Sequence, residues 1–439
     1  MKSFHLVLVN TLTASVTNTF VWFAVTFWVY LETQSVIATS VMAGVYTVTV
    51  AASGIFLGSL VDRFPKKPVM LASSLASLIF FAVALAIYLA NPPSVFTDSA
   101  QPALWGLVVV SLLGALAGNL RGIALSTLVT LLVPEPERDK ANGLVGTANG
   151  VAFMVASIFS GLAVGYLGMT WVLGLAIALT VIAVLHLTTL SLRGGDAAQA
   201  SPPHAGGDAI DLGGTIRAIQ VVPGLFGLIF FHTLNNLLGG VFMSLMDAYG
   251  LELVSVQIWG VLWGFLSLGF IVGGLIVARR GLGAQPLRTL FLSNIVMWSI
   301  CCVFTLQASI ELLTVGMFVW LCLIPVVEAA EQTILQRVVP VERQGRVFGF
   351  AQSVEQAATP ITAFLIGPIA EWFFIPYMTT GAGVDLLGGW FGVGVDRGLA
   401  LLFTLSGVIG LVITLIAMRT AAYRLLSDHY RQPVAVLAQ

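Results

Sequence analysis

The sequence predicts an all-α membrane protein: twelve transmembrane helices in two six-helix, pseudo-symmetric bundles. Composition is the first reason. Of 439 residues, 58% are hydrophobic and only 9% charged, and the mean hydropathy is +0.98. A soluble chain carries about 25% charged residues. The second reason is that the charge is confined to short loops between apolar runs. Each run reaches the roughly 20 residues that cross a hydrocarbon core as a helix, with every backbone polar group satisfied internally. The third is an internal repeat. Thr127-Leu128 through Val133-Pro134, followed by Glu137-Arg138, returns 206 residues later as Thr333-Ile334 through Val339-Pro340, followed one residue sooner by Glu342-Arg343. A repeat of half the chain in a membrane protein points to two similar bundles with a site between them, which is transporter architecture.

The elements follow in order. The first bundle, residues 1–191, holds apolar runs at 5–30, 35–58, 68–90, 104–132, 141–167 and 170–191. The first run is too long and too polar for a cleaved leader, and no small-residue cleavage site follows it, so none is expected. Val133-Pro134 ends the fourth run, and only Gly168-Met169-Thr170 separates the fifth from the sixth. Residues 192–221 read as a flexible cytoplasmic linker, because the stretch from Arg193 to Thr215 is rich in Gly, Ala, Asp, Pro and Ser. The second bundle, 222–418, holds runs at 222–247, 255–278, 287–308, 311–337, 346–374 and 398–418, and 419–439 is a cytoplasmic tail. The Gly-rich outer stretch 375–397, with Trp390 and Phe391, reads as either a short re-entrant segment or a surface segment over the eleventh run.

Orientation follows from the basic residues. Seventeen of the 19 Lys and Arg fall on one side of the predicted spans; Arg397 lies on the other side and Arg121 within a helix. This places both termini in the cytoplasm. The net charge of −1 hides that sidedness and gives no reason to expect a nucleic-acid partner. Cys301, Cys302 and Cys322 lie in predicted spans without metal-ligand spacing and read as small packing residues. No Gly-x-x-x-x-Gly-Lys-Ser/Thr phosphate loop, catalytic nucleophile or metal cluster is visible, so neither an enzyme nor a cofactor is expected.

The loop after the second run reads Gly58-Ser59-Leu60-Val61-Asp62-Arg63-Phe64-Pro65-Lys66-Lys67. It resembles the loop signature of the major facilitator superfamily: Gly, small or apolar residues, Asp-Arg, then a basic pair. Its counterpart in the second half, Gly274 to Arg280, has Ala278 in place of the acid. Ala141-Asn142-Gly143-Leu144 and Gly345 to Gly349 resemble the drug-efflux branch that includes macrolide exporters and the bacterial siderophore exporter. The resemblance implies the major facilitator fold, with spans 1, 4, 7 and 10 around a central cavity. It also implies a conformational latch in which Asp62 meets the start of span 11 near Arg346, where the helix dipole favours an anion. Arg63, Lys66 and Lys67 would then pin spans 2 and 11 together. The alternative is that these three cations only set topology. Drug antiporters of this superfamily often carry Gly-Pro in span 5. Here that span has Gly143, Gly146, Gly150, Gly161 and Gly165 but no proline. The glycines permit close approach to span 8.

Ionisable residues inside a membrane are costly and therefore functional candidates. Arg121, His232, Glu328 and Glu331 stand out. The repeat carries Arg121 onto Val327, next to Glu328, so the two are expected at similar depth and facing each other. Glu328 and Glu331, three residues apart, share a helix face. Two carboxylates so close in low dielectric should keep one protonated near neutral pH. Asn235 and Asn236 follow His232 on neighbouring turns. Asn18 and Trp22, one turn apart, offer an amide and a ring, with Asn10 and Thr11 further back on the same run; helix packing would explain these residues as well.

These observations favour a secondary active exporter of amphipathic small molecules, with protons as the coupling ion, acting as a monomer in the bilayer. A siderophore or natural-product exporter and a lysolipid flippase are alternatives in the same class. A non-transporting receptor or scaffold is the alternative from another class, disfavoured by the embedded charges.

Overall fold

The computed structural model describes residues 2–33, 36–98, 100–190, 212–254 and 256–431. All regular structure among them is helical. Twelve helical segments are long and apolar enough to cross a membrane, and they coincide with the twelve predicted runs. The chain is a multi-pass membrane protein. The first six spans lie in α1 (Lys2–Thr33), α2 (Val36–Arg63), α3 (Lys66–Ala90), α4 (Pro102–Leu132), α5 (Arg138–Leu162) and α6 (Met169–Thr189). A short α7 (Leu212–Val221) leads to α8 (Leu225–Leu253), α9 (Val256–Leu266), α10 (Leu268–Arg280), α11 (Pro286–Val303), α12 (Ile310–Val338) and α13 (Val341–Ile369). Then come α14 (Ile375–Thr379), α15 (Ala382–Phe391), α16 (Val395–Arg419) and α17 (Ala421–Arg431).

The helix ends follow from local chemistry. Gly168 divides α5 from α6 in a left-handed conformation (φ 77°) that a side chain rarely adopts. A π-helical turn precedes it at Ala163–Leu167, and a second one follows α13 at Ala370–Phe374. The internal repeat is thus visible in the backbone. It is sharper still at the two Val-Pro sites. Arg138 donates to the carbonyls of Thr130 and Val133, closing the end of α4. Gln344 donates to the carbonyls of Gln336 and Val339, closing the end of α12. All three pairs of positions are related by the 206-residue offset. Each side chain satisfies carbonyls that a helix C-terminus leaves without partners. The true counterpart of Arg138 is therefore Gln344, not Arg343.

Two expected irregular stretches are partly helical. The linker expected over 192–221 lies outside the described residues as far as 211, but from Leu212 the chain forms α7, with Thr215, Ala218 and Ile219 buried. The tail expected over 419–439 forms α17 to Arg431, with Leu426 buried and Arg424 exposed; 432–439 lie outside the described residues. The outer stretch 375–397 is built of α14 and α15. It is anchored by Arg397, whose guanidinium bonds Asp396, the Thr305 carbonyl and the Tyr249 hydroxyl while stacking on Phe391.

The chain divides into two compact units that follow the two halves except for short exchanged segments. One unit holds Met1–Ala141, Ala148–Ala218 and, from the second half, Leu335–Ser353; the other holds Ile219–Ile334, Val354–Gln439 and, from the first half, Asn142–Thr147. The first unit's core includes Phe20, Val25, Trp28, Phe81, Phe96 and Leu107. That of the second includes Phe242, Tyr249, Trp298, Phe304, Leu321 and Phe403.

Candidate functional site

In the first unit, Arg121 is 2% exposed in the middle of α4. Its guanidinium bonds the Asn10 side chain of α1, and the Ser74 hydroxyl and Met70 carbonyl of α3. Asn10, fully buried, passes the network on to the Ala183 carbonyl at 2.8 Å and His186 Nδ1 at 3.1 Å on α6. Among the described residues no carboxylate forms an ion pair with Arg121. Within its own unit Arg121 therefore sits in a cradle of neutral acceptors, because α1 and α3 lie close enough to satisfy the guanidinium with oxygens.

The same unit contains a recess of about 330 Å³, lined by Ser15, Asn18, Thr19, Trp22, Tyr46 and Asn119 among others. Trp22 stacks on Tyr46 with ring centroids 4.4 Å apart. Gly118 gives Asn18 its place, because a Cβ there would collide with the Asn18 amide. Asn18 and Trp22 were legible as candidates. Tyr46 and Asn119 were not singled out, since neither is charged and both lie on other helices.

The second unit gathers the other candidates. His232 of α8 and Glu331 of α12 are buried, 7% and 5% exposed, with Nδ1 and Oε2 2.9 Å apart. Glu355 of α13 completes the group: one ligand atom each from His232, Glu331 and Glu355 lie within 4.8 Å of one another. Glu328, one helical turn before Glu331, is within electrostatic range of both Glu331 and His232. Pro325, inside α12, lies one turn before Glu328. Two asparagines continue the polar face of α8. Asn235 accepts from Trp298 Nε1 at 3.0 Å, and Asn236 donates to the Glu355 carbonyl at 3.4 Å. Both asparagines position helices around the acids. Sequence reasoning missed Glu355, although the rule that marked Glu331 applies to it equally, because it follows the basic start of α13.

The loop signature is assembled within the first unit. Asp62, buried at the end of α2, accepts from the Gly345 and Arg346 backbone N–H groups of α13 at 2.6 and 2.8 Å. Arg346 Nε lies 3.8 Å from its carboxylate. Four glycines make this approach possible. A Cβ on Gly54 or Gly58 would collide with the α13 backbone at Gly349 or Gly345, and one on Gly345 or Gly349 would collide in return. Ser353 Oγ accepts from Ile55 N at 3.0 Å. Among the basic residues, Lys67 donates to the Thr188 and Leu190 carbonyls at the end of α6, Lys66 donates to the Val61 carbonyl within electrostatic range of Asp62, and Arg63 lies over the Phe64 ring.

The expected approach of spans 5 and 8 occurs in the second unit, at the expected Gly143 on span 5 and at Gly274 on span 8. A Cβ on Gly143 would lie 2.5 Å from Ala278 N, and one on Gly274 2.5 Å from Thr147 N. Gly161, Gly165 and Gly264 face open space, while Gly269 and Gly273 abut α12.

Comparisons with known proteins fit this architecture. Residues 7–363 match the family model of the Major Facilitator Superfamily. Macrolide efflux protein A of Streptococcus pyogenes is 23% identical over 386 residues, covering 82% of this chain and 89% of that protein. Among solved structures, a bacterial homologue of the iron transporter ferroportin in an outward-facing state aligns with a TM-score of 0.67 at 15% identity, covering 96% and 100% of the two chains. The proton:xylose symporter XylE bound to 6-bromo-6-deoxy-D-glucose aligns with a TM-score of 0.64 at 14% identity, covering 95% of each.

Proposed function

On the premise that the chain belongs to the Major Facilitator Superfamily, we propose that it is a secondary active exporter of amphipathic small molecules, working by alternating access with protons as the coupling ion. The observation that carries this reading is the group of buried His232 and Glu331 with half-buried Glu355, and with Glu328, more exposed, one turn away. Burying a carboxylate is costly unless a cation accompanies it. A histidine and carboxylates in contact are a chemically suitable place to load and release a proton. The group draws on α8, α12 and α13, so movement of any one of them alters its proton affinity. That is the link a coupled carrier requires. Similarity to a macrolide efflux protein supports a bulky amphipathic cargo, and the recess around Trp22 and Asn18 is its proposed contact in the first unit. The strong basic bias of one face supports cytoplasmic termini in a bacterial inner membrane. Each chain carries both halves, which supports action as a monomer.

Liposomes equilibrated with the same concentration of radiolabelled macrolide inside and out, then shifted to an acidic bath, test the reading. Wild type expels label against its gradient while the lumen acidifies. Glu331→Gln binds the macrolide but loses the response to the pH gradient. If wild-type flux ignores the gradient, the chain is a facilitator or uses another ion. If no label moves, amphipathic export itself is wrong.

A further inference from the structure

From the geometry of the same group we infer a second ligand: His232, Glu331 and Glu355 form a binding site for a divalent first-row transition-metal ion. Three observations lead there. The donor set is one imidazole nitrogen and two carboxylate oxygens on three helices, all within 4.8 Å of one another. Metal–nitrogen and metal–oxygen bonds of about 2.0–2.2 Å hold adjacent ligand atoms somewhat closer than that, so a small rotamer adjustment closes the shell. Next, two of the three residues are buried and the group is incompletely satisfied. His232 Nε2, Glu331 Oε1 and Glu355 Oε1 have no hydrogen-bond partner, and His232 and Glu331 are each more than nine-tenths buried. Buried polar atoms without partners are rare enough to require an explanation. Last, the charge matches. Two carboxylates in the group and a third at Glu328 exceed what one proton neutralises, and a dication offsets two of those charges.

The donor types select the ion class. Imidazole suits zinc, iron, cobalt and nickel, while carboxylates alone suit magnesium, calcium and manganese. A mixed set favours Zn²⁺, Co²⁺, Fe²⁺ and Mn²⁺ over Mg²⁺ and Ca²⁺. The three cysteines are no part of it: Cys301, Cys302 and Cys322 fall outside the group. The inference rests on reading this group as the place where the carrier handles cations. It adds that a metal ion competes there with protons, so that Zn²⁺ slows proton-driven flux.

Metal binding is measured apart from transport, so that either reading can fail alone. Full-length protein is stripped with a chelator and titrated with Mn²⁺ alone, followed by the loss of the free-ion electron paramagnetic resonance signal. One Mn²⁺ per chain should bind, displaced by equimolar Zn²⁺ and not by equimolar Mg²⁺. His232→Ala, Glu331→Gln and Glu355→Gln should each weaken binding at least tenfold, in line with the 10–100-fold effects seen even for outer-shell partners. Variants are first checked by gel filtration. Should His232→Ala fail to fold, His232→Gln keeps a hydrogen-bonding side chain beside Glu331 while removing the imidazole. The inference is overturned if Mn²⁺ stays free, if Mg²⁺ displaces it equally well, or if all three variants bind as wild type does. Proton-driven flux by a protein that fails to bind Mn²⁺ in the titration overturns this inference and leaves the exporter reading standing. Metal binding without gradient-driven flux does the reverse.

Discussion

At the scale of single residues, the embedded charges of the two units are handled by opposite means. Arg121 is surrounded by neutral acceptors, whereas Glu331 is met by a histidine and another acid. The first arrangement is a neutral hydrogen-bonded framework and the second is the proposed cation site. Asn10 is central to the framework because it accepts from Arg121 and donates to α6. Asn10→Ala should therefore lower stability by about 1.5–3 kcal/mol, the scale of a hydrogen bond to a charged group. Asn10→Asp should lose less, since it supplies a carboxylate to the guanidinium. Thermal midpoints of the purified variants in one detergent decide it; equal midpoints for the alanine variant and wild type would remove Asn10 from that role. The cost of ionisable residues in a membrane made Arg121, His232, Glu328 and Glu331 legible from sequence alone. Their partners were not, because Asn10, Ser74 and Glu355 come from other helices, and nothing in the sequence says which helix faces they share.

At the scale of elements, α2 and α13 cross through glycines spaced four apart on each: Gly54 and Gly58 against Gly345 and Gly349. Such small-residue seams let backbones approach within a membrane, where apolar side chains gain little by leaving lipid. The pairing order is antiparallel, and Asp62 closes the seam one turn beyond Gly58. Gly58→Ala should destabilise the protein by about 1–3 kcal/mol, because the added methyl meets the Gly345 carbonyl and backbones cannot shift freely. Gly106→Ala, where nothing lies within 4 Å, should stabilise by up to about 1 kcal/mol through helix propensity alone. Opposite signs in thermal unfolding are the expected result; a shared sign would argue against tight packing at the seam. Span positions were legible because hydropathy and helix length dictate them. Asp62 was legible as a candidate from its loop motif, since an acid in a basic loop serves no topogenic purpose. The seam was not, because nothing in the sequence pairs Gly54 with Gly349 until the two helices are placed side by side. Nor was the destination of Lys67, which depends on the position of the α6 end.

At the scale of the whole molecule, the internal repeat is copied in backbone but not in charge. One unit holds the α2–α13 crossing and the other holds the α5–α10 crossing. Both join a helix of the first half to a helix of the second through close glycine contacts. Asp62 accepts two backbone hydrogen bonds at the first, while Ala278 stands at the corresponding place in the second. Arg138 likewise has neutral Gln344 as its repeat. A carrier that alternates between two states needs a seam that can open, and one held by a single buried carboxylate has a defined release. Asp62→Asn keeps shape but gives up the charge-assisted bonds to Gly345 and Arg346, each among the stronger hydrogen bonds a protein makes. A loss of about 1.5–3 kcal/mol moves a two-state balance by tenfold or more. In the alternating-access reading this shifts the population away from the state in which α2 and α13 are joined, that is, away from outward-open. Spin labels on exposed Thr97 and Leu386 report it: their distance distribution should gain a shorter component in Asp62→Asn. Ala278→Asp tests the converse, because an acid at the second seam near the start of α5 should hold the joined state and slow turnover without lowering expression. An Asp62→Asn distribution that superimposes on wild type would falsify the latch, and the buried carboxylate would then be only a helix cap.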